Sequence, residues 1–304
     1  LLSAGFVDRI GYKASVTIAH ICSAVGLLAL TLLPELTADP FVGILIAVAV
    51  YAVGGGLLEV LISPIIEACP TDNKEKAMSL LHSFYCWGHV GVLISTIFFS
   101  TMGIENWKIL ARIWAVIPVL NGIVFLFSPI YSLHEEGEKG LTIRELFGKK
   151  IFWLVMLMMT CAGASEQAVS QWASTFAEEG LKVSKTVGDL AGSMAFAFLM
   201  GLARLLYGKY GEKIDLKRFM TYSSILCVIS YLCISFVPNP LLSLLGCAIC
   251  GFSVGIMWPG TFSIASASIR GGGTAMFALL ALAGDLGCSG GPTLAGFVSS
   301  NLGN

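Results

Sequence analysis

The sequence predicts an all-α membrane protein from three observations: its composition, the length of its apolar segments and the distribution of its basic residues. Hydrophobic residues make up 56% of the 304 residues, charged residues make up 12%, and the mean hydropathy is +0.83. About one quarter of a soluble domain is charged. The composition therefore argues against a soluble domain, and a formal net charge of -1 gives no indication of nucleic-acid binding.

Long apolar segments occur throughout the chain. Each is about as long as the roughly 20 residues that cross a bilayer as a helix. The longer segments are expected to tilt or to extend beyond the hydrocarbon. The nine predicted transmembrane helices span residues 14–33, 41–69, 77–103, 107–133, 151–177, 186–207, 219–237, 241–269 and 274–300.

Basic residues concentrate in alternate loops, as expected when cytoplasmic loops carry the excess of lysine and arginine. Two of the basic residues, Arg112 and Arg204, lie near the ends of predicted helices, where a long side chain can reach the interface. The bias supports nine helices, because one helix more or fewer would place every later basic loop on the opposite side of the membrane. It predicts a multi-pass protein of the plasma or inner membrane. Thirteen of the 18 basic residues fall in the predicted cytoplasmic loops 5–13, 70–76, 134–150, 208–218 and 270–273, and three fall in the opposite loops.

Two stretches of the sequence recur in the same order. The residues around Gly11 resemble those around Gly211, and residues 56–64 resemble residues 251–259, with the same spacing from glycine to proline. Repeated halves in a membrane protein are typical of carriers with a site between the halves. The predicted domains are an N-terminal half (1–133), a cytoplasmic connector (134–150) and a C-terminal half (151–304).

The repeat also predicts that the chain is a fragment. Residues 1–4 read as the end of a helix, and two helices precede Gly211 in the second half. By symmetry, the chain is expected to hold the third to the eleventh of twelve helices. It would then lack the first helix, most of the second and the twelfth.

The loop around Gly11 resembles the signature of the major facilitator superfamily, G-x-x-x-D-R-x-G-x-[KR], in slightly shortened form. The resemblance implies the major facilitator fold, with two pseudo-symmetric six-helix halves, and a conformational latch at this loop. Glycine permits a tight turn, and the acid and arginine can bond to helix ends. The alternative is that the basic residues are ordinary interfacial anchors. The predicted latch residues are Gly5, Asp8, Arg9, Gly11, Lys13, Arg204 and Gly211.

Three further segments resemble the fucose/glucose-galactose permease type of this superfamily. They are residues 54–64, which contain Glu59, residues 81–88, and residues 258–263. One departure is Tyr85, which stands where the fucose-permease pattern has an asparagine. The resemblance implies a sugar:proton symporter in which Glu59 takes part in proton coupling.

Two glutamates inside apolar segments, Glu59 and Glu166, are the proton-coupling candidates. A charge at the bilayer centre costs at least a few kcal/mol, and such residues usually face a cavity or a partner. Removal from water favours the protonated carboxyl group, which would allow proton exchange. The alternative for Glu59 is a protonated side chain bound to a carbonyl of a neighbouring helix.

The residues around Glu166 form the most polar stretch of any predicted helix. Gln167 and Gln171 are four residues apart and lie on one helix face, where they could bind hydroxyl groups beside the apolar surface of Trp172. Hydrogen bonds between helices are the alternative. The full set of predicted substrate-binding residues is Gln167, Gln171, Trp172, Trp258, Tyr85 and His82; for His82, a packing role is the alternative.

The sequence therefore predicts a secondary active transporter for a small polar solute, most simply a monosaccharide, driven by protons. The alternatives are an efflux carrier for amphipathic compounds and a non-transporting membrane sensor. An enzyme is not expected, because no nucleophile and base are paired. The expected partners are a sugar-like molecule, protons and lipid, with no nucleic acid, and the protein is expected to be a monomer. No cofactor or metal is expected, because the cysteines lie almost entirely inside apolar segments.

Overall fold

The computed structural model describes residues 6–7, 9–131, 133 and 140–302. Gly5 and Asp8 of the predicted latch, and residues 134–139 of the connector, lie outside the described residues. In the described part of the chain, nine helices are long and apolar enough to cross a membrane. The predicted all-α membrane fold is therefore confirmed.

The described residues form twelve α-helical elements, numbered here in chain order, of which eleven belong to these spans and the short α5 lies outside them. Two spans are interrupted: α7, a π-helical segment (Asp189–Met194) and α8 share one, and α10 and α11 share another. The elements are α1 (Tyr12–Leu36), α2 (Pro40–Ala68), α3 (Lys74–Met102), α4 (Trp107–Phe127), α5 (Ile143–Phe147), α6 (Lys150–Leu181), α7 (Lys185–Gly188), α8 (Ala195–Tyr210), α9 (Leu216–Phe236), α10 (Pro240–Val254), α11 (Met257–Ser268) and α12 (Gly273–Leu302).

Local sequence fixes several helix ends. Asp39 Oδ1 accepts a hydrogen bond from the Phe41 N–H (2.9 Å) at the start of α2, and Asn239 Oδ1 accepts one from Leu241 (3.0 Å) at the start of α10. Both caps precede a proline, whose missing N–H costs nothing in the first turn of a helix. The sequence predicts a helix to residue 133, but α4 ends at Phe127, because the proline at 129 disfavours helical geometry in the residue before it.

The described residues pack as two compact units. Unit 1 comprises residues 1–70, 98–141 and 271–278 and contains α1, α2 and α4. Within it, α1 and α2 approach closely through glycines: a Cβ added at Gly26 would lie 2.4 Å from the Tyr51 nitrogen. Small residues allow such contact between membrane helices. Lipid is as apolar as the side chains, so close packing rather than the hydrophobic effect holds these helices together.

Unit 2 comprises residues 71–97, 142–270 and 279–304. Its core contains buried side chains from α3, α6, α8 and α10, among them Cys86, Val169, Phe196, Met200 and Cys250. These units describe packing, whereas the predicted halves 1–133 and 151–304 rest on sequence repetition. The two halves therefore stay a prediction.

In unit 2, the backbones of α6 and α12 approach each other closely at the glycines of α12. A Cβ added at Gly287 would lie 2.0 Å from the Thr160 carbonyl oxygen, and one at Gly291 would lie 2.5 Å from the Ala164 carbonyl oxygen. Real Cβ atoms do not tolerate such distances. The glycines of α12 are therefore needed for its position against α6, which carries Glu166 and Gln167.

Gly287→Ala should destabilise the protein because the added methyl group overlaps the backbone of α6. The expected loss is ~1–3 kcal/mol, the usual range for overpacking a tight contact, and a thermal unfolding curve of the purified protein in detergent would measure it. Gly290→Ala is the matched control, since a Cβ there meets no described atom within 4 Å. Equal melting temperatures for the two variants would contradict the proposed close packing.

Candidate functional site

A buried arginine, Arg204 of α8, lies at the centre of the candidate site. Its side chain is 2% exposed, so the prediction that it reaches the membrane interface is wrong. The side chain instead turns into unit 2, where acceptors surround the guanidinium group. Nε donates to the Gly255 carbonyl (2.7 Å), Nη1 to the His82 carbonyl (2.9 Å) and to Cys86 Sγ (3.2 Å), and Nη2 to Glu166 Oε2 (3.1 Å).

The bond to Gly255 follows from the proline at position 259. In an uninterrupted helix, the Gly255 carbonyl would accept from the N–H of residue 259, but Pro259 has no N–H to donate. The helix is interrupted here, with α10 ending at Val254 and α11 beginning at Met257. Arg204 Nε supplies the missing donor at 2.7 Å. A buried carbonyl that would otherwise lack a partner is thereby satisfied.

Glu166 of α6 forms an ion pair with Arg204 in which both side chains are almost fully buried, at 6% and 2% exposed. Removing two charges from water is expensive, and their attraction compensates only when the remaining polar groups are also bonded. The three other acceptors around Arg204 meet this condition for the guanidinium group. Glu166, which the sequence predicts as a proton-coupling residue, therefore lies in a fixed and desolvated ion pair.

The aromatic ring of Tyr85 lies beside this pair, and further rings of α3 and α11 pack on one another. The Tyr85 ring lies 5.7 Å from Arg204 Cζ, within the range of a cation–π interaction. The His82 ring stacks on Phe262 with centroids 5.7 Å apart, and Phe262 contacts Trp258 edge to face at 6.2 Å. Tyr85 and His82 of α3 thus lie beside the buried charge, and Trp258 of α11 is connected to His82 through Phe262.

A polar group open to the surface of unit 2 adjoins the buried pair. Gln167 Nε2 donates to the Tyr85 hydroxyl at 3.1 Å, and the Tyr85 residue is 49% exposed. Gln167 follows Glu166 directly in α6, while the Tyr85 ring contacts Arg204. The Tyr85–Gln167 pair therefore has exposed hydrogen-bonding atoms on one side and the buried ion pair on the other.

The remaining predicted substrate residues have different surroundings. Gln171 is exposed on α6, and Trp172 is 42% exposed, with its indole N–H donating to the Pro292 carbonyl at 3.2 Å. Trp258 is buried and packs directly against Gly284, where an added Cβ would lie 2.2 Å from the indole ring. Glu59 is half-buried on α2 and belongs to unit 1.

At the loop signature in unit 1, Gly11 has φ +82°, a conformation that favours glycine. Lys13 Nζ donates to the Ser128 carbonyl at 3.4 Å, and the Tyr12 hydroxyl lies 2.6 Å from Thr274 Oγ1 at the start of α12. Tyr12 is not among the predicted latch residues. Its position inside the signature is the signal that could have identified it.

The second copy of the signature has its own contacts, within unit 2. The Tyr207 hydroxyl donates to Glu75 Oε2 at 2.8 Å, and Glu212 forms an ion pair with Lys76. Gly211 is buried beside the Lys76 side chain. The end of α8 and the loop that follows it are thus bonded to the first turn of α3. The sequence gives no sign of these partners, because they lie more than a hundred positions away.

These features are those of a polytopic membrane protein with buried charged and polar side chains inside its membrane-spanning segments. The model of the Major Facilitator Superfamily matches residues 1–292, and the chain belongs to that superfamily. The protein is therefore a multi-pass membrane transporter of this class. No curated protein sequence matches the chain.

Several solved structures share the fold. The E. coli fucose:proton symporter has a TM-score of 0.82 at 15% identity, covering 100% of this chain and 81% of that one. A proton:xylose symporter bound to 6-bromo-6-deoxy-D-glucose has a TM-score of 0.79 at 14% identity, covering 98% and 77%. The human organic anion transporter MFSD10 has a TM-score of 0.76 at 12% identity, covering 98% and 74%. At these identities the similarity concerns the fold.

Arg204→Met should be strongly destabilising, because it leaves the Glu166 carboxylate buried without its counter-charge. Breaking one partner of a buried pair typically costs about 3–5 kcal/mol. The double variant Arg204→Met/Glu166→Gln should recover part of that loss, since no unpaired charge remains. Thermal unfolding of the parent protein, of Arg204→Met, of Glu166→Gln and of the double variant forms a double-mutant cycle. Strictly additive effects on stability would contradict the ion pair as described.

Proposed function

We propose that the protein is a secondary active transporter that moves a small polar solute, of the monosaccharide class, by alternating access coupled to protons. The observation that carries this proposal is the juxtaposition of the buried Glu166–Arg204 pair with the exposed Tyr85–Gln167 pair. A proton-exchanging group and hydrogen-bonding groups for a solute are then only one side chain apart.

Glu166 is the proposed proton carrier. A carboxylate in a desolvated site can be neutralised by a proton, and the balance depends on the attraction of Arg204 against the cost of burial. Such intramembrane acids commonly belong to ion pathways. Glu59, half-buried on α2, is retained as a second candidate for proton coupling.

The proposed solute carries several hydroxyl groups. Gln167 and Tyr85 offer donors and acceptors, and the exposed Gln171 and Trp172 lie one turn further along α6. Amide side chains bind hydroxyl groups in either sense, and an aromatic ring offers an apolar surface beside them. Two transporters of the same fold are named for a sugar and a proton, which supports this choice of solute.

The latch is proposed for the two copies of the loop signature. Contacts of Tyr12 with Thr274, and of Tyr207 and Glu212 with the start of α3, support this role. Each contact joins the region of a signature loop to the first turn of a helix distant in sequence. We further propose that the protein acts as a monomer in the plasma or inner membrane, with these loops in the cytoplasm.

Proteoliposomes that contain the protein and an internal pH indicator would test the proposal. Addition of fucose or xylose should acidify the lumen, and a proton gradient should drive uphill accumulation of the labelled sugar. Glu166→Gln should abolish accumulation while sugar exchange persists, because the glutamine oxygen can still accept the bond from Arg204 but cannot take up a proton. Glu179→Gln, an exposed acid of the same helix, is the matched control and should transport normally.

Other outcomes of the proteoliposome experiment would favour a different proton carrier or a different function. Loss of accumulation in Glu59→Gln alone would move the proton role from α6 to α2. Net outward movement of amphipathic dyes without sugar flux would favour the efflux carrier. Sugar binding without flux would favour a sensor. The absence of both binding and flux of these sugars would reject the monosaccharide class.

A further inference from the structure

Arg204 contacts both the proposed proton carrier and the interruption between α10 and α11. Its Nη2 donates to Glu166 at 3.1 Å and its Nε donates to the Gly255 carbonyl at 2.7 Å. We propose that Arg204 is a positioning residue that transmits the charge of Glu166 to this interruption, so that a proton on Glu166 loosens the segment from Gly255 to Pro259. The inference rests on the proposed proton role of Glu166 and adds the route by which that proton changes the structure.

The shape of the guanidinium group makes this route direct. Its nitrogen atoms lie in one rigid plane, so a shift that changes the contact at Nη2 also moves Nε. No rotatable bond separates the two contacts. The Gly255 carbonyl therefore responds to whatever holds or releases the other end of the same planar group.

The Gly255 carbonyl depends on Arg204 because its helix offers no replacement. Pro259 removes the N–H that would normally bond to it. When Glu166 is ionised, its charge fixes the guanidinium and the bond to Gly255 persists. A proton taken from water onto the Glu166 carboxylate removes that charge, and the hydrogen bond that remains to Nη2 is no longer reinforced by a full ion pair.

Few other ionisable groups face this ion pair in the described part of unit 2. From α3, the side chains of His82, Tyr85 and Cys86 lie beside Arg204. From α12, Cys288 lies near Tyr85. None of these contributes a second carboxylate, so substitution of Glu166 isolates the charge that the proposal concerns.

Hydrogen exchange measured by mass spectrometry tests the inference without a transport assay. In detergent or nanodiscs, Glu166→Gln should mimic the protonated carboxyl group and accelerate amide exchange in peptides that cover residues 253–260. The exchange rate should rise about tenfold if the charge-assisted hydrogen bond from Arg204 to the Gly255 carbonyl is lost. Glu179→Gln, on the same helix, should exchange like the parent protein, and peptides from α1 and α2 should be unchanged in both variants.

Pro259→Ala provides the second arm, because it restores an N–H for the Gly255 carbonyl. In that background, Glu166→Gln should no longer accelerate exchange in residues 253–260. Circular dichroism and size-exclusion chromatography would establish that each variant is folded. Peptides that exchange alike in Glu166→Gln and Glu179→Gln would overturn the coupling, as would an equal effect of Glu166→Gln with and without Pro259.

The two proposals fail separately. If the exchange experiment is negative while sugar-dependent proton uptake is observed, the transport function stands and the route through Arg204 is wrong. If exchange responds as expected while sugar moves no protons, the coupling between Glu166 and the helix interruption stands and the transport proposal is wrong.

Discussion

A single buried guanidinium group constrains the architecture of unit 2. An arginine cannot lose its charge inside the membrane, so α8 can place one there only if acceptors converge on it. Those acceptors come from α3, α6 and the interruption after α10. Two of them are backbone carbonyls, which fixes the position of the main chain as well as that of the side chains. The contacts of Arg204 thus join α8 to α3, to α6 and to the interruption after α10.

Close approach between helices makes this arrangement possible. Lipid solvates apolar side chains as well as a protein core does, so membrane helices are held together by van der Waals contact and by polar bonds. The glycines of α12 bring its backbone against α6, and Gly284 accommodates the ring of Trp258. Trp258 in turn supports Phe262, which stacks on His82. Small residues and large rings therefore act together to hold α3, α6 and α11 around the charge.

Sequence patterns predict the helices better than they predict the site. Long apolar runs and the bias of basic residues define the nine spans, because both follow from the bilayer itself. The polar stretch from Glu166 to Trp172 is equally visible, since polarity is unusual in such a helix. Arg204 is misjudged because its distance from a helix end does not reveal the direction of its side chain. The Gly255 carbonyl has no sequence signal of its own, although Pro259 marks the position where a donor is missing.

The repeated glycine-to-proline segment shows why a proline alone does not determine the interruption. Pro64 lies inside α2, which continues from Pro40 to Ala68, whereas the helix around Pro259 is divided at Gly255. Both prolines remove the same backbone bond. At the second, glycine replaces the valine found at position 60, and Arg204 supplies a donor for the released carbonyl. Pro259, Gly255 and Arg204 thus occur together at the interruption, whereas the resembling segment in α2 carries the half-buried Glu59 in a continuous helix.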